Sequence, residues 1–153
     1  MPSDWTIRPM SVADVEAAAQ LRYDAFFEGS ERSLADDVAG LKNLLARDNG
    51  EAAFVAVADG EVVGTCLLVA NELEPLHDVS PWLAGLIVDK RYRSSGIGGA
   101  LVRAIEDSAR AARIESIYLY TDEAEPFYQR LGWITTDRVV ADGETTILMQ
   151  RTL

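Results

Sequence analysis

From Trp82 to Leu101 the chain runs WLAGLIV, a short charged turn, SSGIGG, and then into a helical stripe, and few folds accept that order. The unbroken apolar run Trp82 to Val88 reads as a strand buried on both faces. Asp89 to Arg93 turns the chain, and Ser94, Ser95, Gly96, Ile97, Gly98 and Gly99 lead into a helix. Ile97, Leu101, Ile105, Ala109 and Ala112 then recur at steps of four, four, four and three along one face. A strand entering a glycine-rich turn that opens a helix is a recurring phosphate-binding arrangement. The helix N-terminus presents unpaired N–H groups and a partial positive charge, worth roughly 0.3–1 kcal/mol per anion at exposed sites. Glycines there remove the Cβ that would hold a ligand away from the backbone.

The spacing narrows the ligand. A nucleoside-triphosphate loop ends in Gly-Lys-Ser/Thr, whereas Gly98-Gly99-Ala100 stands here. A dinucleotide fold wants G-x-G-x-x-G in a first βαβ unit, with an acid about 20 residues on. Here the order is G-x-G-G, past the middle of the chain, with Arg and Lys beside it. Arg93-Ser94-Ser95-Gly96-Ile97-Gly98, preceded by Val88-Asp89, resembles the R/Q-x-x-G-x-G/A acyl-CoA loop of the GNAT N-acetyltransferases. Downstream, Phe127-Tyr128-Gln129-Arg130-Leu131-Gly132-Trp133 is similar to that family's F-Y-x-x-L-G-F/W segment. The resemblance follows the whole chain in order, and its specific motifs fall in residues 86–101 and 125–133.

Composition sets the remaining bounds. A chain of 153 residues suits one domain, spanning residues 1–153. With 48% apolar residues it can bury a core, so intrinsic disorder is excluded. No apolar run approaches the roughly 18 residues of a membrane span, and Met1 to Trp5 has no basic, then apolar, leader pattern. Cys66 stands alone inside an apolar run and reads as a small buried hydrophobe. A cytoplasmic location is the expectation. The net charge of −11 argues against nucleic acid as a partner. Lys90, Arg91, Arg93, Arg103, Arg110 and Arg113 nevertheless crowd the glycine loop and its helix, while acids dominate the N-terminal part. A basic loop in an acidic body fits a polyphosphate cofactor and a cationic substrate.

The other elements can be read in order. Thr6 to Arg8 is a first strand, and Ser11 with Asp14 forms a capping pair for a helix carrying Val12, Val15, Ala19 and Phe26. Ser33 and Asp36 repeat the cap before Leu34, Val38, Leu41 and Leu45, and Asn49-Gly50 closes that second helix. Ala53 to Ala58 and Val62 to Ala70 flank Asp59-Gly60, a strong hairpin signal, and Asn71 to Ser80 is a loop. Ser116 to Thr121 is a strand parallel to Trp82–Val88, reached by a right-handed crossover. If those two strands part beyond a shared start, a cleft opens between them. Glu125 to Leu131 is a short helix, with Asp122 as its expected cap. Val139-Val140 and Thr145 to Gln150 form a last hairpin around Asp142-Gly143.

The resemblance implies an α/β (α+β by some schemes) GNAT-type fold, a mixed sheet of six or seven strands with about four helices. It implies acetyl transfer from acetyl-CoA to an amine of a small cationic molecule or a protein amino group. On this reading the backbones of Leu86, Ile87 and Val88 pair with pantetheine, and the turn from Arg93 to Gly99 holds the diphosphate. Tyr128 is the expected general acid, because a phenol keeps its proton at pH 7. Tyr23, Phe27, Glu28 and Glu31, with Arg32, would border the acceptor. The strand Trp82–Val88 lacks the Glu or His that serves many relatives as base. His77 or Glu74 in the preceding loop are the candidates, with water or the free-base amine as alternatives. No metal is expected; the terminal hairpin could pair with a second copy in a homodimer, though nothing in the sequence specifies it. The alternative function is a non-catalytic acyl-CoA-binding or sensing domain.

Overall fold

A computed structural model describes residues 4–73 and 75–153. Among these residues, seven strands form one mixed sheet and four α-helices pack on it. The strands are β1 (Trp5–Pro9), β2 (Ala52–Ala58), β3 (Glu61–Val69), β4 (Trp82–Val88), β5 (Ser116–Thr121), β6 (Ile134–Ala141) and β7 (Glu144–Thr152). The helices are α1 (Val15–Arg22), α2 (Leu34–Ala46), α3 (Ile97–Ala111) and α4 (Glu125–Arg130). Sheet order is β1-β2-β3-β4-β5-β7-β6, antiparallel throughout except between β4 and β5. No helix among the described residues is long and apolar enough to cross a membrane.

Local chemistry explains the turns. Asp59 and Gly60 take φ of 52° and 77°, and Asp142 and Gly143 take 53° and 78°, the double left-handed conformation of a tight hairpin. Ser33 Oγ accepts from the Asp36 amide at 3.0 Å while the Asp36 carboxylate accepts from the Ser33 amide at 3.0 Å, so α2 starts on a reciprocal cap. Asp14 reaches back to the Ser11 amide at 2.8 Å and also accepts from Arg8 Nη2 at 2.9 Å.

Two cores lie on opposite faces of the sheet. On one face Ile97, Leu101, Ile105 and Ala109 of α3 pack with Ile117, Leu119, Tyr128 and Trp133. On the other, Val15, Ala18, Ala19, Leu41 and Leu44 of α1 and α2 pack on Val55 and Leu67. Ala112 falls outside the expected stripe, because α3 ends at Ala111. Val12 and Phe26 also differ from expectation and are 66% and 46% exposed. A short 3₁₀ turn precedes α1 and a π-type turn, Tyr23–Phe27, follows it. Both change the angle per residue, so the 3.6-residue stripe holds only within α1.

Three boundaries moved. Pro9 belongs to β1, opposite Phe54, tolerated because β1 is an edge strand that needs no further donor there. The last hairpin begins at Ile134, well before Val139. Asp122 does not cap α4, since the Ala124 amide donates to Thr121 Oγ1 at 3.1 Å instead.

Candidate active site

Strands β4 and β5 share one registered pair, Trp82 opposite Tyr118, and the Tyr118 amide donates to Pro81 O at 3.1 Å. Beyond that rung they part. The apolar run of β4 is therefore fully buried only at Trp82 and Leu83, and half-buried from Ala84 to Val88. One edge of β4 pairs with β3, and the other faces a cleft of about 660 Å³.

A bulge lies at the centre of β4. Thr65 faces Ile87 and Leu67 faces Ala84, so Gly85 and Leu86 together oppose Cys66. Gly85 takes φ of +64°, which a side chain rarely adopts. The extra residue bends β4 just before Leu86 and Ile87.

At the C-terminal end of β4 the glycine turn starts α3. Ser94 and Gly96 take φ of 65° and 90°, and the Ser95 hydroxyl donates to Tyr92 O. The first intrahelical bond runs from the Ala100 amide to Gly96 O at 3.1 Å, leaving Ile97, Gly98 and Gly99 as donors without a helical partner. A Cβ at Gly98 would meet the Phe127 ring at 3.4 Å, and one at Gly99 would meet Leu131 at 3.8 Å. Both glycines thus face α4 and its C-cap Leu131 at ordinary contact distance. Arg93 is exposed and its Nε donates to Val88 O at 3.4 Å.

The basic patch is smaller than its sequence implies. Arg91 pairs with Asp89 and Glu61 at 3.2 and 3.3 Å. Arg103 donates at 2.8 Å to Glu106, which is fully buried and also accepts from Trp133 Nε1 at 3.1 Å. Arg110 lies 3.7 Å from the same carboxylate. The Arg103 and Arg110 pairs thus stay within α3, and it is Trp133 that ties Glu106 to the segment before β6.

Tyr128 lines the cleft together with Leu86, Leu119 and Ala124. It is 7% exposed and packs edge-on against Phe127 and Trp133, at ring separations of 5.0 and 6.1 Å. Its hydroxyl makes no hydrogen bond to any described residue. Burial pushes the phenol well above its ordinary pKa, and the nearby Cys66 thiol adds to the shift. Burial likewise pushes the Cys66 thiol up to about 12, so it stays a protonated core residue.

His77 is held at both ring nitrogens. Nδ1 lies 2.8 Å from the Tyr120 hydroxyl and Nε2 lies 2.7 Å from Asp137 Oδ2. The Leu76 amide donates to the same Tyr120 hydroxyl at 2.8 Å, leaving its proton directed to Nδ1. Nε2 then carries the ring proton, donated to Asp137. Tyr120 lines the cleft and stacks on Trp82 at 4.6 Å. Glu74 lies outside the described residues.

Of the residues expected beside the acceptor, Phe27 lines the cleft, while Tyr23, Glu28 and Glu31 are not among its walls. Arg32, expected there with them, does line it, joined by ion pairs through Asp37 to Arg22, and neither of those two was expected. Tyr120 and the Arg22–Asp37 pair carried no local sequence signal, because their partners lie 43 and 15 residues away.

Comparison with known proteins places this geometry. The model of the Acetyltransferase (GNAT) family matches residues 15–133. N-acetylaspartate synthetase of Rattus norvegicus is 30% identical over 128 residues, covering 79% of this chain and 42% of that protein. The chain therefore spans less than half the length of that relative. Aminoglycoside N(6')-acetyltransferase type 1 of Stenotrophomonas maltophilia is 30% identical over 152 residues, covering 88% of this chain and 90% of the relative. Among solved structures, an aminoglycoside 6'-N-acetyltransferase complexed with coenzyme A superposes with a TM-score of 0.74 at 19% identity, covering 96% of each chain. With the family model spanning most of its length, the chain belongs to the GNAT family of acetyltransferases.

Proposed function

We propose that the chain transfers the acetyl group of acetyl-CoA to an amine held in the same cleft. The observation that carries this reading is the single rung between β4 and β5. It leaves a bare strand edge running toward the unpaired amides of α3, with a buried phenol on the cleft wall that has no hydrogen-bond partner among the described residues. Three features support a fit to CoA. The edge of β4 from Leu83 to Val88 is about 20 Å of backbone, at about 3.3 Å per residue, that β5 leaves unpaired, able to pair with an amide-bearing pantetheine arm as an added strand would. The donors at Ile97, Gly98 and Gly99, with Ser95, Gly96 and Arg93 beside them, suit a diphosphate. Amide donors at Ile87 or Val88, just past the bulge at Gly85, suit a thioester oxygen.

When bound, acetyl-CoA supplies the acyl group in activated form. The residues around it manage protons and charge. As the C–N bond forms and the C–S bond breaks, Tyr128 donates from its hydroxyl to the departing sulfur. A phenol with a raised pKa is a poor acid toward a thiolate in water. A thiolate emerging in this cleft is desolvated as Cys66 is, however, and its affinity for a proton rises in the same direction.

The amine must lose a proton, and β4 offers no carboxylate or imidazole. Tyr120 supports a route, since its oxygen can take the amine proton while its own passes to His77 Nδ1. Asp137 then steadies the imidazolium from Nε2. This keeps His77 in the role expected of it, acting through Tyr120. The sequence-based expectation of a cationic acceptor fits Glu72 and Asp122 in the cleft but not the arginines beside them.

Calorimetry with CoA and continuous assay of CoA release with a panel of amines test the reading. Heat on binding and turnover of at least one amine class are expected. Binding without turnover across the panel would identify an acyl-CoA sensor instead. Tyr120→Phe and His77→Gln should each lower kcat/KM for the amine by about 10². Parent-like values would mean that the amine enters already neutral.

A further inference from the structure

One wall of the cleft holds two cations over a single anion. Asp37 is fully buried and accepts from Arg22 Nε at 2.9 Å and Nη2 at 3.1 Å, and from Arg32 Nε at 3.0 Å. Among the described residues no second carboxylate lies within ion-pair distance of either guanidinium. The three side chains therefore sum to one net positive charge, which Asp36 offsets only from beyond ion-pair distance of Arg32, with side-chain exposures of 7% for Arg22 and 30% for Arg32. A desolvated net charge is costly and strongly attracts a counter-ion.

The two guanidiniums are fixed where they stand. A Cβ at Gly85 would lie 2.2 Å from Arg22 Nη1, and one at Gly40 would lie 2.7 Å from Arg32 Nη2. Both cations also face the ring of Phe27, at 5.5 and 5.3 Å. Two glycines and one aromatic ring thus form seats for them. Asp37 occupies the Nε–Nη2 edge of Arg22, so Nη1, resting on the β4 bulge, remains for a ligand.

The geometry points to an acceptor that carries a carboxylate next to its amine, an α-amino acid or a molecule ending in one. This rests on the acetyl-transfer reading and names its substrate class. A carboxylate bridging the two arginines sits beside Gly85, two residues before the first of the amides proposed to face the thioester. Charge-assisted N–H···O bonds are about 2.8 Å long, and an α-amine lies two bonds from its carboxyl carbon. An amine so tethered falls within about 6 Å of Arg22 Nη1, over Leu86 and Ile87, given about 3.8 Å between successive Cα atoms. Glu72 and Asp122 give the cleft anionic groups as well, which suits a zwitterion better than a polycation. A cationic wall also favours the neutral amine over the ammonium.

The test compares kcat/KM for glycine, L-aspartate and L-glutamate with that for their methyl esters and for spermidine, using the full chain and saturating acetyl-CoA. Free acids should exceed their esters, and spermidine, by at least tenfold. Arg32→Gln should collapse the acid-to-ester ratio toward one, and Arg32→Lys, which keeps charge without the planar fork, should give an intermediate ratio. CoA calorimetry and a thermal melt on each variant establish that cofactor binding and fold persist. Esters or spermidine matching the acids, or an acid preference that survives Arg32→Gln, would overturn the assignment and leave acetyl transfer standing. Absence of CoA binding by the parent protein would sink both.

Discussion

Replacing Tyr128 with Phe separates a catalytic phenol from a structural one, because the two roles predict opposite outcomes. The Tyr128 hydroxyl has no hydrogen-bond partner among the described residues, so its removal deletes no protein hydrogen bond. The ring remains, with its edge contacts to Phe127 and Trp133 at 5.0 and 6.1 Å. Stability should therefore change by no more than about 0.5 kcal/mol. Proton donation to a leaving group is worth about 10²- to 10⁴-fold, or roughly 2.7 to 5.4 kcal/mol at 1.36 kcal/mol per decade. The assay is CoA release followed with a thiol reagent, beside a urea titration of the same sample. Cys66, buried and protonated, will not compete for the reagent while the fold holds. A fall in kcat with an unmoved urea midpoint is the expected pair of results. A kcat within threefold of the parent would refute the assignment. So would a loss of more than about 2 kcal/mol of stability with activity following it.

Gly98→Glu should fit sterically, since its Cβ makes ordinary contact with Phe127 at 3.4 Å. The carboxylate would occupy the amide donors of α3, and CoA affinity by calorimetry should weaken tenfold or more; an unchanged Kd would place the phosphates elsewhere. Asp37→Asn strips the shared counter-charge from Arg22 and Arg32 and should cost about 3–5 kcal/mol by urea unfolding. The guanidinium of Arg8, above all, holds the Asp14 carboxyl down to about 2, with the Ser11 amide and hydroxyl assisting. A lowered native pKa means that this stabilisation is present above about pH 4 and is lost as the pH falls toward 2. Asp14→Asn should flatten the stability profile in that window, as read by melting at successive pH values.

The parts of the fold written in local chemistry were legible in advance. Asp59-Gly60 and Asp142-Gly143 announce their hairpins because few other pairs accept two left-handed residues. The stripe of α3 is visible because its whole face meets one core. What escaped reading depends on distant partners. Nothing near Arg22 marks it for burial, since Asp37 lies a helix away. The bulge at Gly85 arises from a mismatch with β3, whose register no single strand encodes. His77 was visible as the only imidazole, but its link to the cleft runs through Tyr120, 43 residues on, and its anchor Asp137 is 60 away. Arg103 and Arg110 counted toward a basic patch around the glycine turn, but the buried Glu106 pairs with both.

The lone Trp82–Tyr118 rung has a mechanical consequence. The sheet is two rafts, β1 to β4 and β5 to β6, stitched at one point and braced by α3. A molecule lodged along the seam would act as mortar between them. Ligand at a hundred times its Kd adds about 2.7 kcal/mol to the bound form. That gain should appear as slowed amide exchange on the free margins of both rafts, far beyond the atoms the ligand touches.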